Sequence, residues 1–290
     1  MPYPASELIL NPDGSIYHLR LLPEDIADTV IVVGDPDRVN MISRHFDRVD
    51  IQKQHREFVT HTGSIGSKRI TVVSTGIGSD NVEIVMTELD ATRNIDLQKR
   101  EPTASHHSLN IIRIGTSGSL QDDIPVGSVV VSKAGVGLDG LLDFYNTDEA
   151  NWAPEFCVNL KNLLNLRLQP YLAEASSRLF NSFSQRELGA HTGVTLTCPG
   201  FYAPQGRALR LTPKVPDSIQ QLHQFNWNGT RITNFEMETA AYYLFGKLLG
   251  HEMLSLNAIV ANRVNGEFAP APEKIVERLI QDTLQWILTL

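Results

Sequence analysis

The feature that most constrains the fold is the recurrence of short β-branched runs that end in glycine and precede a helical pattern. Residues 29–34, TVIVVG, precede DPDRVNMISRHF, where Pro36 suits a first helical turn. Residues 69–78, RITVVSTGIG, precede residues 81–94, whose apolar side chains recur at helical spacing. Strands that alternate with helices in this way predict a mostly parallel sheet with helices on both faces. Ligands bind such sheets beyond the carboxyl ends of the strands.

The alternation continues along the chain, with no repeat, low-complexity segment or linker that would divide it. Further strands are predicted at residues 110–118, 126–136, 191–197 and 253–265, and further helices at residues 152–165, 212–225 and 273–290. Residues 232–250 are predicted to begin as a strand and to become a helix that ends at Gly250. Residues 98–108, QKREPTASHHS, are predicted to form a polar excursion. A length of 290 residues allows one large domain or two small ones, and we predict one domain over residues 1–290.

The composition excludes several classes of protein. The net charge of −8 argues against binding to nucleic acid polymers, because proteins that bind them normally carry a basic excess. No apolar run approaches the roughly 18 residues that span a bilayer, and the N-terminus, MPYPASELIL, lacks the basic start and apolar core of a secretory signal. The two cysteines, Cys157 and Cys198, form neither a disulfide framework nor a metal motif. These features predict a cytoplasmic protein with reduced thiols.

Arginine and glycine residues at the predicted strand ends form a candidate anion site. Gly34 and Arg38 follow the first strand, and Arg113 and Thr116 lie toward the end of a later one. An arginine guanidinium can bind phosphate through two parallel hydrogen bonds. The alternative is that these arginines pair with carboxylates on the surface. TGIGSD at residues 75–80 has two of the three glycines of a dinucleotide-binding fingerprint, so a nicotinamide-dependent enzyme is a weaker alternative.

The stretch TCPGFYAPQGR, residues 197–207, contains too many glycines and prolines for a helix or a central strand. It is therefore predicted to be a loop of restricted conformation. Phe201 offers a flat face, Gln205 offers one acceptor and two donors, and Arg207 offers a fork of donors. This set suits a flat ligand that is rich in carbonyl and N–H groups. The alternative is a surface turn whose polar side chains point into water.

Six motifs resemble, in the same order, those of the nucleoside phosphorylase family, and specifically its uridine phosphorylase branch. They are VVGDPDRV at 32–39, HREF at 55–58, STGIG at 74–78, RIGTSG at 113–118, FYAPQGR at 201–207 and NFEMET at 234–239. The resemblance extends over residues 17–265. It implies a nucleoside phosphorylase-like fold: a single α/β domain with a twisted mixed sheet that forms a partly closed barrel flanked by helices. It also implies active sites completed by a neighbouring subunit, in a homodimer or a hexamer.

The resemblance implies three groups of binding residues in this sequence. The phosphate group would be held by Gly34, Arg38, Arg113 and Thr116, with Arg56 arriving from the partner chain. The ribose would be held by Thr116, Met237 and Glu238, with His18 arriving from the neighbour. The base would be held by Phe201, Gln205 and Arg207. The candidate catalytic residues are Arg113, Glu238, Gln205 and Arg207.

Some of these residues also suit purely structural roles. Glu238 could be a carboxylate favoured at a helix N-terminus, and Met237 could be core filler.

Relatives can hold a monovalent cation between subunits, so Glu57 and Asn81 are candidate ligands of K⁺. The turn at residues 79–81, SDN, departs from the Pro-Ser turn of the family.

The resemblance implies phosphorolysis of a pyrimidine nucleoside, in which uridine and phosphate give uracil and ribose 1-phosphate. Such a pentosyltransferase of pyrimidine salvage needs phosphate as co-substrate and no cofactor. The three arginines at 38, 56 and 113 favour phosphate over water as the nucleophile. Asn262 stands where purine-specific relatives have an acidic residue, which favours a pyrimidine. The alternatives are a nucleosidase, a purine nucleoside phosphorylase and a non-enzymatic nucleoside-binding protein.

Overall fold

The computed structural model describes residues 2–147, 152, 154–186 and 188–290. The helices in these residues are α1 Pro36–Ser43, α2 Ser79–Asn94, α3 Glu155–Leu163, α4 Ser177–Ser184, α5 Ser218–Gln224, α6 Thr239–Leu249 and α7 Pro272–Ile287. The strands are β1 Thr29–Val33, β2 Arg48–His55, β3 Phe58–Ile65, β4 Lys68–Ser74, β5 Ile95–Asp96, β6 Glu101–Pro102, β7 Asn110–Ser119, β8 Val129–Gly137, β9 Tyr171–Glu174, β10 His191–Thr197, β11 Asn226–Trp227, β12 Thr230–Glu236, β13 Glu252–Asn262 and β14 Glu267–Phe268. None of the helices in the described residues has the length and apolar character to cross a membrane.

Most predicted elements occur close to their predicted positions, and the differences have local causes. The helix predicted over residues 212–225 begins only at Ser218, because Pro213 and Pro216 interrupt the preceding segment. The helix predicted over residues 152–165 is α3, Glu155–Leu163, and residue 153 of the predicted range lies outside the described residues. β2, β3, β9 and α4 were not predicted from the sequence. The residues of β2 alternate between exposed and half-buried positions and carry few apolar side chains.

Contacts divide the chain into two compact units. The first contains Met1–Ile112, Phe245–Glu252 and Ile287–Leu290, and the second contains Arg113–Leu244 and Met253–Trp286. In the first unit the strand order is β1–β4–β3–β2, with β1 and β4 parallel and the other two pairs antiparallel. All five residues of β1 are buried, and α1 packs against β3 and β4.

Five strands of the second unit close into a barrel. β12, β10, β8, β13 and β7 follow one another as hydrogen-bonded neighbours, and β12 also pairs with β7 through Asn234 opposite Ser119 and Phe235 opposite Gly118. The predicted partly closed mixed sheet is therefore confirmed. The expectation of a mostly parallel sheet is wrong, because strands joined by short turns, such as β2, β3 and β4, must pair antiparallel.

Three parallel strands of this barrel bring their carboxyl ends together. Thr197 at the end of β10 lies opposite Gly137 of β8 on one side and Glu236 of β12 on the other. The chain continues from β10 into the loop of residues 198–207 and from β12 into α6. Side chains just beyond these strands therefore share one end of the barrel, where an α/β sheet is expected to bind its ligand.

The helix α6 approaches this barrel closely at a glycine. A Cβ atom on Gly135 of β8 would lie 2.8 Å from the backbone nitrogen and Cα atoms of Ala240, in the first turn of α6. Because the obstructing atoms belong to the backbone, a rotamer change cannot relieve the contact. Gly135 thus allows α6 to lie against β8 and fixes the position of residues 236–239 at its start.

We expect Gly135→Ala to lower the free energy of unfolding by about 1–3 kcal/mol, the usual cost of an overpacked core. The measurement is chemical denaturation followed by circular dichroism. Lys133→Ala on the exposed side of the same strand is the matched control, and its effect should stay within about 0.5 kcal/mol. Equal stability of the Gly135→Ala variant and the wild type would contradict the close packing of α6 on β8.

Candidate active site

A buried arginine lies at the centre of the site in the second unit. Arg113 on β7 donates from Nη2 to Glu238 Oε2 at 2.6 Å, and the same nitrogen lies 2.8 Å from Glu236 Oε2. From Nη1 it donates to Asn257 Oδ1 at 2.8 Å and to Ser255 Oγ at 3.3 Å, both on β13. Both terminal nitrogens of the guanidinium therefore bond to protein acceptors, and the arginine is held in one orientation.

Glycine 115 makes room for this guanidinium, since a Cβ atom there would lie 2.1 Å from Arg113 Nη1. Burial by itself would lower the pKa of Arg113, but the attraction of Glu236 and Glu238 outweighs it and raises that pKa. One guanidinium faces two carboxylates, so with all three groups ionised the cluster carries a net charge of −1. The cluster is therefore suited to stabilise positive charge that develops beside it.

Glu236 holds the turn that presents Glu238. It accepts hydrogen bonds from Thr197 Oγ1 at 2.7 Å, from the backbone nitrogen of Glu238 at 2.9 Å and from that of Thr239. This carboxylate thus occupies the N-terminus of α6, where the backbone amides favour negative charge. Glu236 was not among the predicted site residues, although it lies in the NFEMET motif. Met237, the next residue, is half-buried.

The loop after β10 places its predicted base-binding residues in contact with one another. Arg207 Nη1 donates to Gln205 Oε1 at 2.7 Å and to the backbone oxygen of Phe201 at 2.6 Å. Its guanidinium carbon lies 3.7 Å from the centroid of the Phe201 ring, so the arginine covers one face of that ring. Gln205 is buried, and the bond from Arg207 orients its amide so that Nε2 points away from the arginine.

A second arginine adds positive charge to this loop. Arg263 Nη1 donates to the backbone oxygen of Gln205 at 3.0 Å. Burial, followed by the charge of Arg263, lowers the pKa of Arg207 to about 10. Burial also lowers the pKa of Arg263. Two cations that are both destabilised by their surroundings would gain from an adjacent anion. Arg263 was not among the predicted site residues, although it lies in the strand predicted over residues 253–265.

Asn262 has a structural role in this arrangement. Its Nδ2 donates to the backbone oxygens of Gln121 and Ile124, and its Oδ1 accepts from the backbone nitrogens of Val264 and Asn265. The amide therefore stabilises the turn after β13. These contacts do not support the role in distinguishing pyrimidines from purines that the resemblance implied for Asn262.

In the first unit, His18 is held by a buried carboxylate. Glu88 of α2 accepts from the backbone nitrogens of His18 at 3.0 Å and Leu19 at 2.8 Å. It also lies 2.7 Å from His18 Nδ1. A carboxylate accepts only, so the ring proton lies on Nδ1 and the neutral ring offers Nε2 as an acceptor. Nε2 could then accept a hydrogen bond from a hydroxyl group.

The glycine-rich turns of the first unit lie close together. A Cβ atom on Gly34, after β1, would lie 3.2 Å from the backbone oxygen of Gly76, after β4. Asp35 caps the N-terminus of α1, and Arg38 follows in its first turn. Arg56 is exposed at the tip of the β2–β3 hairpin, where its φ angle of 56° is left-handed. The structure therefore places Gly34 and Arg38 at a helix N-terminus, a type of position that favours anions.

Glu57 and Asn81 lie beside each other, as the cation hypothesis requires. Asn81 Nδ2 donates to Glu57 Oε1 at 3.3 Å, and Gly76 leaves room for this pair. The amide presents its nitrogen to the carboxylate, so the pair is already satisfied without a cation. For both residues to bind K⁺ the amide would have to turn its oxygen inward, and further oxygen ligands would have to come from elsewhere.

Asp90, His106 and His251 in the first unit also offer ligand atoms within 4.8 Å of one another. His251 Nδ1 accepts from the backbone nitrogen of Leu109, so the neutral ring carries its proton on Nε2, 3.3 Å from Asp90 Oδ1. His106 Nε2 lies 2.8 Å from the backbone oxygen of Leu249, to which it donates. Because His251 has no nitrogen lone pair left for a metal, the cluster does not fit a metal ion.

Comparison with known proteins assigns the chain to a family. A family model described as the phosphorylase superfamily matches residues 28–285. The chain belongs to the phosphorylase superfamily. Within the superfamily it belongs to the uridine phosphorylase branch, as the resemblance predicted.

Two curated relatives and one solved structure illustrate where this phosphorylase lies in the superfamily. It is 32% identical to the uridine phosphorylase of Thermococcus kodakarensis, over 90% of this chain and 83% of the relative. It is 35% identical to the uridine phosphorylase of Treponema pallidum, over 80% of this chain and 76% of the relative. A Trypanosoma brucei nucleoside phosphorylase reported to show uridine phosphorylase activity superposes with a TM-score of 0.87 at 26% identity, over 98% of this chain and 100% of the other.

We expect Arg113→Ala to destabilise this phosphorylase by about 3–5 kcal/mol at pH 8, because Glu236 and Glu238 would lose their buried cation. The measurement is denaturant unfolding. Arg210→Ala, at an exposed position, is the control. An Arg113→Ala variant as stable as the wild type would contradict the buried ion pairs.

Proposed function

We propose that the chain is a pentosyltransferase that phosphorolyses uridine or a related pyrimidine nucleoside, giving uracil and ribose 1-phosphate. The observation that carries the proposal is the charge at one end of the barrel in the second unit. There a carboxylate pair, Glu236 and Glu238, lies at and just beyond the end of β12, and an arginine pair, Arg207 and Arg263, meets at the loop after β10. Cleavage of a glycosidic bond makes the sugar positive and the departing base negative, and this arrangement offers a counter-charge to each.

On the ribose side, Glu238 is the proposed acceptor for the ribose hydroxyls. Its bond to Arg113 and the hydrogen bonds from its backbone and that of Thr239 to Glu236 hold it without rearrangement. A preorganised acceptor of this kind contributes by positioning the sugar for attack. Thr116 on β7 and Met237 complete the proposed ribose site, and both are half-buried.

On the base side, Gln205 and Arg207 are the proposed contacts to the pyrimidine. Gln205 can donate from Nε2 to a ring carbonyl and can accept a ring N–H with the second lone pair of Oε1. Arg207 can donate to the negative charge that develops on the leaving base. Phe201 has one face covered by Arg207, so a base would pack on the uncovered face or the edge of that ring. No covalent intermediate or proton donor is required.

The phosphate is proposed to bind to Gly34, Arg38, Arg56, Arg113 and Thr116. The support is the location of Gly34 and Arg38 at the N-terminus of α1 and the exposed position of Arg56. The terminal nitrogens of Arg113 already serve protein acceptors, so in its proposed contact with phosphate one of those hydrogen bonds would be exchanged for one to a phosphate oxygen.

The proposed active unit is a homodimer, with a hexamer as the larger possibility. In it, Arg56 binds the phosphate and His18 contacts the ribose 5′-hydroxyl in the neighbouring site. Large apolar side chains, including Ile77, Phe144 and Phe268, are exposed on the described chain, as expected of a protein that associates with copies of itself. The proposal includes a K⁺ ion between subunits at Glu57 and Asn81, and its binding would replace the hydrogen bond that these two residues now share.

Location and domain organisation complete the proposal. Both cysteines are free and buried, and burial raises the pKa of Cys157 to about 12 and that of Cys198 further, which suits a reducing cytoplasm. We retain one domain over residues 1–290, because the family match includes residues of both compact units.

We expect uracil release from uridine to require phosphate or arsenate. Purified protein should release uracil and ribose 1-phosphate when phosphate is present and almost none in phosphate-free buffer, as measured by chromatography. Arg38→Ala should raise the KM for phosphate about tenfold or more, since a charge-assisted contact is lost. Arg48→Ala, which removes an exposed arginine that pairs with Asp50, is the control.

Three results would contradict this assignment. Equal rates with and without phosphate would identify a nucleosidase. Inosine turnover as fast as uridine turnover would identify a purine nucleoside phosphorylase. Binding of uridine without release of uracil would identify a nucleoside-binding protein.

We expect Arg207→Ala to lower kcat for uridine by about a hundredfold, the typical cost of removing one preorganised donor. Gln205→Ala should lose less, because its hydrogen bond carries no full charge. A nucleoside whose base is a better leaving group, such as 5-fluorouridine, should be less affected. Arg210→Ala makes the same charge change at an exposed position three residues after Arg207 and serves as the control. An Arg207→Ala variant with normal kcat would show that base recognition lies elsewhere.

A further inference from the structure

The polar excursion at residues 98–108 contacts the N-terminal segment of the chain through one side chain. Arg100 Nε donates to the backbone oxygen of Tyr3 at 2.9 Å, and Nη2 donates to the backbone oxygens of Pro4, at 3.4 Å, and Leu8. In return, the backbone nitrogen of Tyr3 donates to the backbone oxygen of Arg100 at 2.7 Å. A single arginine therefore binds three carbonyl groups of residues 2–21, which we call the N-terminal arm.

The backbone at Arg100 is unusual for an arginine. Its φ angle is 59°, in the left-handed region, at the turn of the small hairpin formed by β5 and β6. Glycine adopts this conformation without strain, whereas a side chain there must be held by its surroundings. The hairpin turn therefore gives no local reason for an arginine, and the contacts of the Arg100 side chain with the arm supply one.

The arm is a connected structure between Leu8 and His18. Leu10 forms a β-bridge with Ile16, and Asn11 Nδ2 donates to the backbone oxygens of Ser15, Ile16 and Tyr17. The backbone nitrogen of Ile16 donates to the backbone oxygen of Leu21. A displacement of the arm at Leu8 would therefore be transmitted to His18, because these hydrogen bonds leave the intervening residues little freedom.

Besides His55 and Lys53 of β2, which bond to the backbone oxygens of His18 and Arg20, the arm has two anchors that belong to one continuous stretch of chain. Glu88, which holds His18, lies on α2, and Asn94 at the end of α2 binds the excursion through the backbone nitrogens of Thr103 and His107. The far end of the excursion is fixed by Ser108 Oγ, which donates to the backbone oxygen of Gly250 at 2.8 Å. The excursion is thus a firm base on which Arg100 can hold the arm.

We propose that Arg100 is a positioning residue for ribose recognition: it clamps the N-terminal arm against the excursion and so fixes the position of His18. The inference rests on the proposed function, in which His18 contacts the ribose 5′-hydroxyl. Arg100 touches no reacting atom and acts only through the arm. Loss of the clamp should therefore weaken recognition of the 5′-hydroxyl without changing the chemistry at the glycosidic bond.

The test compares uridine with 5′-deoxyuridine, which lacks the hydroxyl group that His18 would contact. In Arg100→Gly, which removes the side chain and suits the left-handed backbone, kcat/KM for uridine should fall roughly tenfold while that for 5′-deoxyuridine changes little. Arg100→Lys should show a smaller fall, because an ammonium cannot reach three carbonyls at once. Amide hydrogen exchange in the full-length protein should be faster at Ile16, His18 and Leu19 in Arg100→Gly.

Lys99→Ala is the matched control. It removes one positive charge from the same hairpin, where Lys99 pairs with Asp96 at 3.0 Å. It should change neither the ratio of kcat/KM between the two substrates nor the amide hydrogen exchange of the arm. His18→Ala should reduce the ratio of kcat/KM for uridine to kcat/KM for 5′-deoxyuridine, as Arg100→Gly does. The double variant should be no worse on uridine than His18→Ala alone, since the two residues act through one contact.

The outcomes separate this inference from the function on which it rests. Amide exchange of the arm that is unchanged in Arg100→Gly would overturn the clamp. So would faster exchange in Arg100→Gly with an unchanged ratio of kcat/KM between uridine and 5′-deoxyuridine, if His18→Ala does reduce that ratio. An unchanged ratio in His18→Ala would refute the ribose role of His18. No phosphorolysis by the wild type would refute the proposed function. The amide hydrogen exchange of the arm in Arg100→Gly would then still test whether Arg100 clamps the arm.

Discussion

The site depends on one buried guanidinium shared by two carboxylates. Arg113 lies on β7, its carboxylate partners lie at the end of β12 and the start of α6, and its amide and hydroxyl partners lie on β13. A charge this deeply buried is tolerated only where partners surround it, so these elements must lie together before the arginine can be accommodated. Barrel closure between β7 and β12 satisfies that requirement, since it brings the strands of Arg113 and Glu236 side by side. The interaction therefore links the architecture of the barrel to the orientation of the group proposed to hold the ribose.

Most helices could be predicted because their signals are local, and so could the strands β1, β4, β7, β8, β10, β12 and β13. β1 and β4 are β-branched runs that end in glycine, and a run of that kind needs no distant partner to be recognised. β2 was missed because an edge strand with alternating polar residues gives little hydrophobic signal. The helix before Ser218 was placed too early because its apolar spacing was weighed above the prolines that precede it.

The candidate site was only partly predictable, since its decisive features are contacts between residues distant in sequence. The motifs drew attention to Arg113 and Glu238, but nothing in the sequence shows that Glu236 is a second partner of the arginine. Arg263 joins the Gln205 loop from the far end of β13, and Arg207 covers a face of Phe201 that the sequence left open to a ligand. For Asn262, in contrast, the resemblance implied a role in base selectivity, whereas its contacts show that it stabilises a turn.

The fixed amide of Gln205 has a consequence for selectivity among pyrimidines. With Oε1 bonded to Arg207, the loop presents mainly donors: the Gln205 Nε2 hydrogens and the two guanidinium groups beside it. At the proposed base site, uracil would meet these donors with two carbonyl oxygens, whereas cytosine would set its exocyclic amino group against one of them. A buried donor facing a donor loses a hydrogen bond and gains none, and sites built on such polar matching reject the mismatched ligand far more strongly than a hydrophobic pocket rejects a missing methylene. For the proposed reaction, an amino-substituted base would thus be excluded by unpaired hydrogen-bond donors, in a loop whose shape could otherwise accept it.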